Sequence, residues 1–130
     1  MAAGTPLRVL VVDDWSDTRD SLEMLLSAWG HEVRLARDGP SALEAARSFS
    51  PQAVLLDIGL PGGMDGWDVA RRIREQDGGR AVLLVALTGH GRELDKARSR
   101  EAGFDAHLTK PADPQELQHL LLGVAAVGAA

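Results

Sequence analysis

The strongest constraint on the fold is a short apolar run that ends on a carboxylate. Residues 53–56 are all apolar, Asp57 follows them directly, and a loop rich in proline and glycine comes next (residues 59–66). A run of this length is typical of a strand buried on both faces of a parallel sheet. An acid at the carboxyl end of such a strand lies in the crevice where α/β sheets bind ligands. Aspartate is also common in turns, so Asp57 alone does not show that this is a ligand site. The residues at the ends of the other strands decide between the two interpretations.

The chain repeats a strand followed by a helix five times. We predict strands over residues 7–12, 31–36, 53–57, 81–87 and 104–108, and the strand over 81–87 is expected to be the most buried. We predict that Ser16 caps the first helix, that the fourth helix runs over about residues 92–102, and that Asp113 caps the fifth. Such alternation implies a parallel sheet with helices on both faces. The pattern leaves the strand order open, and 2-1-3-4-5 is the common doubly wound, flavodoxin-like arrangement.

Composition excludes several classes of protein. The 130 residues suffice for one domain over 1–130, with an ordered core over about 6–124. There is no cysteine, which excludes disulfides, thiolate metal sites and cysteine nucleophiles. The net charge of −5 argues against nucleic acid as a direct partner. The sequence has neither a membrane-length apolar run nor a signal peptide, so we expect a cytoplasmic protein with no membrane partner.

The predicted strands end in polar residues that parallel strands would bring to one edge of the sheet. These residues are Asp13, Asp14, Asp57, Thr88 and Lys110. Carboxylates in contact repel by roughly 1 kcal/mol per pair even in water, so we expect a cation among them. Ligands that offer only oxygen favour Mg²⁺, with Mn²⁺ also acceptable. The central acid, Asp57, would then be a nucleophile that forms an aspartyl phosphate, with Lys110 and Thr88 contacting the transferred group.

The order of these motifs resembles that of a response-regulator receiver domain of bacterial two-component signalling, of the chemotaxis-regulator kind. The matching motifs are Asp13-Asp14, Asp57 with Leu60-Pro61 and Met64-Asp65-Gly66, Thr88-Gly89, and Lys110-Pro111. Each motif alone is weak, but their shared order at the strand ends is highly specific. The resemblance covers essentially the whole chain.

The resemblance implies a role for each acid. Asp57 would be the phosphoacceptor, and Asp14, Asp57 and the carbonyl of Gly59 would bind Mg²⁺. Asp13 would assist through a water molecule.

The resemblance also implies a switch. Thr88 would bond the phosphoryl group, Lys110 would pair with it, and the Lys110-Pro111 peptide would be cis. The position that the family usually fills with a rotating tyrosine or phenylalanine is His107 here. The loop over residues 61–66 is one glycine longer than the common pattern.

The implied function is a phosphoacceptor switch rather than an enzyme. It would take a phosphoryl group from a sensor histidine kinase or a phosphotransfer protein. Its helix 4–strand 5–helix 5 face would then bind a downstream protein or a second copy of the chain. The sequence leaves no room for a DNA-binding domain, so we expect a single-domain regulator or a receiver from a hybrid histidine kinase. A phosphatase using the same chemistry and a pseudo-receiver that only binds partners are the alternatives, although no acid, threonine or lysine of the motif is lost.

Overall fold

Strands and helices alternate along the described part of the chain, which is residues 6–89 and 96–129 of a computed structural model. The strands are β1 (Arg8–Val12), β2 (Glu32–Ala36), β3 (Ala53–Asp57), β4 (Leu83–Thr88) and β5 (Ala106–Thr109). The helices are α1 (Ser16–Ala28), α2 (Gly39–Phe49), α3 (Gly66–Glu75), α4 (Lys96–Ala102) and α5 (Pro114–Ala129). All strand pairs are parallel and follow the order β2-β1-β3-β4-β5. The predicted doubly wound α/β fold is therefore confirmed.

The sheet divides the core into two layers. One layer packs α2, α3 and α4 against one face of the sheet, and the other packs α1 and α5 against the opposite face. Successive side chains of a strand point to opposite faces of the sheet. In β3, Val54 and Leu56 therefore belong to the first layer, and Ala53 and Leu55 belong to the second. The central strand β3 is thus buried at all five of its residues.

The prediction that residues 81–87 form the most buried strand is wrong, because β3 is more completely buried and β4 begins only at Leu83. Residues Gly79–Ala81 form a 3₁₀ turn, in which the Ala81 N–H donates to the Gly78 carbonyl (3.2 Å). Gly78 has a φ of +78°, which favours glycine. A Cβ on Gly79 would lie 1.8 Å from the Ile73 carbonyl oxygen, so the turn packs directly on the end of α3.

The last strand also begins later than predicted. We expected it to start at Phe104, but the Phe104 N–H donates to the Ser99 carbonyl (3.0 Å) and thereby closes the end of α4. Strand β5 begins at Ala106. The predicted first part of the fourth helix, residues 92–95, lies outside the described residues.

Aspartates cap three of the helices. Asp38 and Asp65 form capping boxes at the starts of α2 and α3, and Asp113 Oδ1 accepts the Gln115 N–H (2.9 Å) at the start of α5, as predicted. The prediction for the first helix is wrong. Its N-cap is Trp15, which offers no side-chain acceptor, and Ser16 is already the first helical residue.

Helix α4 is tied to α3 by polar contacts around one tryptophan. Trp67 Nε1 donates to the buried Ser99 Oγ (3.2 Å), and the Arg98 guanidinium lies 3.8 Å from the centroid of the Trp67 ring. This contact positions the helix that follows β4.

None of the helices within residues 6–89 and 96–129 combines the length and the apolar character needed to cross a membrane. The division of the chain into one domain over 1–130, with an ordered core over about 6–124, stays a prediction.

One glycine fixes the approach of α3 to the end of β3. A Cβ on Gly66 would lie 2.4 Å from both the Asp57 carbonyl oxygen and the Ile58 Cα, which are backbone atoms and cannot rotate away. We expect Gly66→Ala to displace α3 or the Asp57 backbone and to lower the stability by about 1–3 kcal/mol. Thermal unfolding measures the loss. The control is Gly63→Ala, whose Cβ would have no neighbour within 4 Å. Equal melting temperatures for the two variants would contradict this packing.

Candidate functional site

Four strands deliver polar side chains to one edge of the sheet. Asp13 and Asp14 follow β1, Asp57 ends β3, Thr88 ends β4 and Lys110 follows β5. Carboxylate oxygens of Asp13, Asp14 and Asp57 all lie within 4.8 Å of one another. The predicted acid cluster therefore exists in three dimensions.

The three acids differ sharply in burial. Asp13 is 0% exposed and Asp57 is 5% exposed, whereas Asp14 is on the surface. Two carboxylates are thus held out of water beside a third that reaches it. Burying a charge without a partner is costly, so the cluster needs positive charge nearby.

Lys110 supplies that charge. Its Nζ lies 3.0 Å from Asp13 Oδ2 and 3.5 Å from Asp57 Oδ2, and its side chain is three-quarters buried. The Lys110 backbone N–H donates to the Thr88 carbonyl (2.7 Å), which joins the ends of β4 and β5. The Lys110-Pro111 peptide is cis, as predicted.

Backbone donors hold the two buried acids from the other side. The Trp15 N–H donates to Asp13 Oδ1 (2.9 Å), and the Gly59 N–H donates to Asp57 Oδ1 (2.9 Å). Each aspartate therefore accepts from the residue two positions further along the chain, which is a common aspartate turn. The second oxygen of each acid faces Lys110.

The electrostatics follow from this arrangement. Burial raises the pKa of Asp57, the Gly59 hydrogen bond and Lys110 lower it, and the negative charge of Asp13 raises it further, with a net increase. Burial alone would lower the pKa of Lys110, but its hydrogen bond to Asp13 and the charges of Asp57 and Asp13 raise it overall. Lys110 contacts two of the three acids, Asp13 and Asp57, so the cluster holds more carboxylates than positive groups.

The donor set fits a hard divalent cation. The three carboxylates offer only oxygen, and they are close enough to share one ion. A cation would also offset the charge that Lys110 leaves uncompensated. Whether the Gly59 carbonyl joins them as a ligand stays a prediction.

The two residues of the predicted switch lie on neighbouring strands. Thr88 is 2% exposed, and its Oγ1 lies 3.5 Å from the Leu108 carbonyl, the limit of a hydrogen bond. His107 pairs with Ala86 in the sheet and is exposed to solvent. A small cavity of about 260 Å³ separates the end of β5 from the start of α5, and His107 and Lys110 both line it.

Two residues at the site carry no signal in the sequence motifs. Arg19 Nη1 donates to the Asp13 carbonyl (2.8 Å) and ties the loop after β1 to α1. Trp15 holds Asp13 through its backbone while its side chain is 65% exposed. Only their closeness to Asp13-Asp14 in the sequence indicates that Trp15 and Arg19 belong to the site.

Known proteins share this fold and much of this sequence. Residues 9–122 match the family model of the response regulator receiver domain. Response regulator MprA of Mycolicibacterium vanbaalenii is 38% identical over 112 residues, which are 86% of this chain and 47% of MprA. The chain therefore spans about half the length of this curated relative.

Two solved structures are similar over nearly the whole chain. A putative response regulator from Chloroflexus aurantiacus has a TM-score of 0.84 and 34% identity, covering 94% of this chain and 99% of that one. The receiver domain of sensor histidine kinase PA1611 from Pseudomonas aeruginosa has a TM-score of 0.83 and 32% identity, with the same coverage of 94% and 99%. That domain has a magnesium ion coordinated in its active site cleft.

The raised pKa of Asp57 predicts a pH-dependent stability. The folded state holds the Asp57 proton more tightly than the unfolded state, so stability is lost as pH rises above the ordinary value of 3.8. In EDTA at pH 7.5, Asp57→Asn should raise the melting temperature by a few degrees. The gain should fade as pH approaches 3.8, where wild-type Asp57 is itself protonated. Thermal unfolding across pH 4–8 measures it, with the exposed Asp77→Asn as the matched control. A gain that is equally large at pH 4 would contradict the assignment.

Proposed function

Because this chain belongs to the response regulator receiver domain family, we propose that it is a phosphoacceptor switch in which Asp57 accepts the phosphoryl group. One observation carries the proposal: Asp57 is the buried acid at the end of the central strand, flanked by two more acids and by Lys110. A switch that cycles between two covalent states is the function, rather than the turnover of a substrate.

The chain's own residues supply most of the chemistry. A carboxylate oxygen of Asp57 attacks the phosphorus of the donor, the bond from phosphorus to the leaving atom breaks, and its electron pair leaves with the donor. Lys110 then exchanges its contacts with Asp13 and Asp57 for the phosphoryl oxygens, and the Thr88 hydroxyl donates to another of them. The fold holds Lys110 beside Asp57 before the donor arrives, so only a short shift brings its charge onto the phosphoryl oxygens.

The cofactor in this proposal is Mg²⁺, with Mn²⁺ as an acceptable substitute. Asp14, Asp57 and the Gly59 carbonyl would hold it, and Asp13 would contact it through water. When bound, the ion offsets the negative charge of the phosphoryl oxygens. The magnesium ion in the PA1611 receiver domain supports this choice.

The output in this proposal depends on Thr88 and His107, which lie on neighbouring strands. We infer that Thr88 moves toward the phosphoryl group and that His107 turns from solvent into the space that Thr88 leaves. Thr88 ends β4, and His107 is the second residue of β5 and lines the cavity between β5 and the start of α5. The α4–β5–α5 face is therefore the proposed output surface.

The partners follow from this chemistry. The donor would be a sensor histidine kinase or a phosphotransfer protein, and the α4–β5–α5 face would bind a downstream protein or, after phosphorylation, a second copy of the chain. Similarity to a receiver domain of a sensor histidine kinase keeps a hybrid kinase open as the parent protein, beside a single-domain regulator. The absence of direct contact with nucleic acid and the cytoplasmic location stay predictions.

Phosphorylation by a small donor tests the assignment directly. Incubation with acetyl phosphate and Mg²⁺ should add one phosphoryl group to the wild-type protein, because the domain itself supplies the catalytic groups. Intact-protein mass spectrometry measures the yield. Asp57→Asn should reduce it to background, while Asp77→Asn, an exposed acid in a turn, should leave it unchanged. A comparable yield of stable phosphate in Asp57→Asn would show that another residue is the acceptor.

Metal binding should be visible without any phosphodonor. A ligand that binds only the folded state stabilises it, by about 2.7 kcal/mol at one hundred times its dissociation constant. Millimolar Mg²⁺ should therefore raise the melting temperature of the wild type. Asp14→Asn should lose most of this effect and still fold, since Asp14 is exposed. The site would be contradicted if Mg²⁺ did not change the melting temperature of the wild type, or if it raised that of Asp14→Asn by the same amount.

A further inference from the structure

A large aromatic side chain is exposed on the residue whose backbone binds the buried Asp13. Trp15 is 65% exposed, and its backbone N–H is bound to Asp13 Oδ1 at 2.9 Å. That bond fixes the start of the Trp15 side chain at the rim of the acid cluster. The other large apolar side chains exposed in the described part of the chain are Met24 in the middle of α1 and Leu122 on α5. Trp15 alone of the three is tied to the site.

Neither packing nor helix stability accounts for this tryptophan. Its side chain buries little surface, and its position is the N-cap of α1, where it makes no side-chain hydrogen bond. Serine, threonine, aspartate or asparagine would stabilise the helix there. The same chain uses Asp38, Asp65 and Asp113 for that purpose on α2, α3 and α5. Among the four helices whose starts the structure describes, α1, α2, α3 and α5, the rule is broken only at α1, which points to a functional role.

The chemistry around Trp15 selects a type of ligand. Any donor that delivers a phosphoryl group to Asp57 releases its leaving group at the mouth of the cluster, near the residue whose backbone N–H binds Asp13. The indole face attracts cations and stacks on flat rings, and the excess negative charge of the acids also favours a donor whose ring is positively charged before the bond to phosphorus breaks. A protonated heteroaromatic ring satisfies both preferences, whereas acetate, the leaving group of acetyl phosphate, satisfies neither.

We propose that Trp15 is a specificity-determining residue that binds the ring of an N-phosphorylated imidazole while its phosphoryl group passes to Asp57. The inference rests on the proposed function, since it needs Asp57 as the acceptor. In the step, the Asp57 oxygen–phosphorus bond forms as the phosphorus–nitrogen bond breaks. The electron pair of the broken bond stays on that ring nitrogen, and the other ring nitrogen already carries the proton, so neutral imidazole leaves.

The experiment compares two small donors on the same protein. Phosphoimidazole and acetyl phosphate are each mixed with the full chain and Mg²⁺, and the rate of phosphorylation is followed by intact-protein mass spectrometry. The readout is the ratio of the phosphoimidazole rate to the acetyl phosphate rate. The variants are Trp15→Ser, which restores a capping side chain, Trp15→Phe, which keeps an aromatic face, and the matched surface control Met24→Ser.

We expect Trp15→Ser to lower the rate ratio about two- to fivefold, the size of an exposed cation–π contact. Trp15→Phe should keep most of the ratio, and Met24→Ser should not change it. The melting temperature of Trp15→Ser should not fall, because the new cap offsets the lost packing.

Other outcomes overturn the proposal. An unchanged rate ratio in Trp15→Ser would show that Trp15 does not distinguish the donors. If both rates fell equally, Trp15 would only support the site. A Trp15→Phe variant as impaired as Trp15→Ser would exclude ring stacking. A wild-type protein that reacts with neither donor would refute the proposed function itself, and this inference with it.

Discussion

Asp13 is completely buried, and the architecture of the sheet edge depends on how its charge is neutralised. The neutralising group is the Lys110 ammonium, 3.0 Å away and 97 residues later in the chain. Strands β3 and β4 lie between β1 and β5 in the sheet, so this pair spans the end of the strand that carries Asp57. Removing one partner of such a buried pair typically costs about 3–5 kcal/mol, because the other charge is left unpaired. The contact therefore links the residue after β1 to the residue after β5 across the site.

In the proposed reaction the same lysine has a second task. Asp13 and the incoming phosphoryl oxygens both require Lys110, and a cation bound at the three acids would compensate Asp13 when the lysine turns away. The excess of negative charge over positive is what links these events. Metal binding, phosphoryl transfer and the stability of the folded domain thus draw on one set of charges.

The sequence allowed the position of each site residue to be predicted, because parallel strands bring their carboxyl ends to one edge of the sheet. It did not reveal which acid of the pair Asp13-Asp14 is buried, since that depends on the turn in which the Trp15 N–H binds Asp13. Helix starts were predictable at Asp113, where the cap follows the usual rule. They were not predictable at Trp15, where the rule is broken.

Strand boundaries failed for a related reason. Apolar character suggested that Ala81 belongs to a strand, but the packing of Gly79 on the Ile73 carbonyl keeps residues 79–81 in a turn. Phe104 likewise has the composition of a strand residue, yet its N–H is used to close α4. Both errors arise where the backbone hydrogen bonds of a neighbouring element decide the conformation, and periodicity contains no information about them.

The division of the core by the sheet has a consequence for how such a protein can diverge. The buried side chains of α1 and α5 belong to one cluster, and those of α2, α3 and α4 belong to the other. Substitutions in groups that share no contacts combine additively. The packing of α1 and the packing of α4 can therefore change independently of each other. Evolution can thus reshape the helix that follows the acid pair without disturbing the helix that is tied to Trp67, and the reverse.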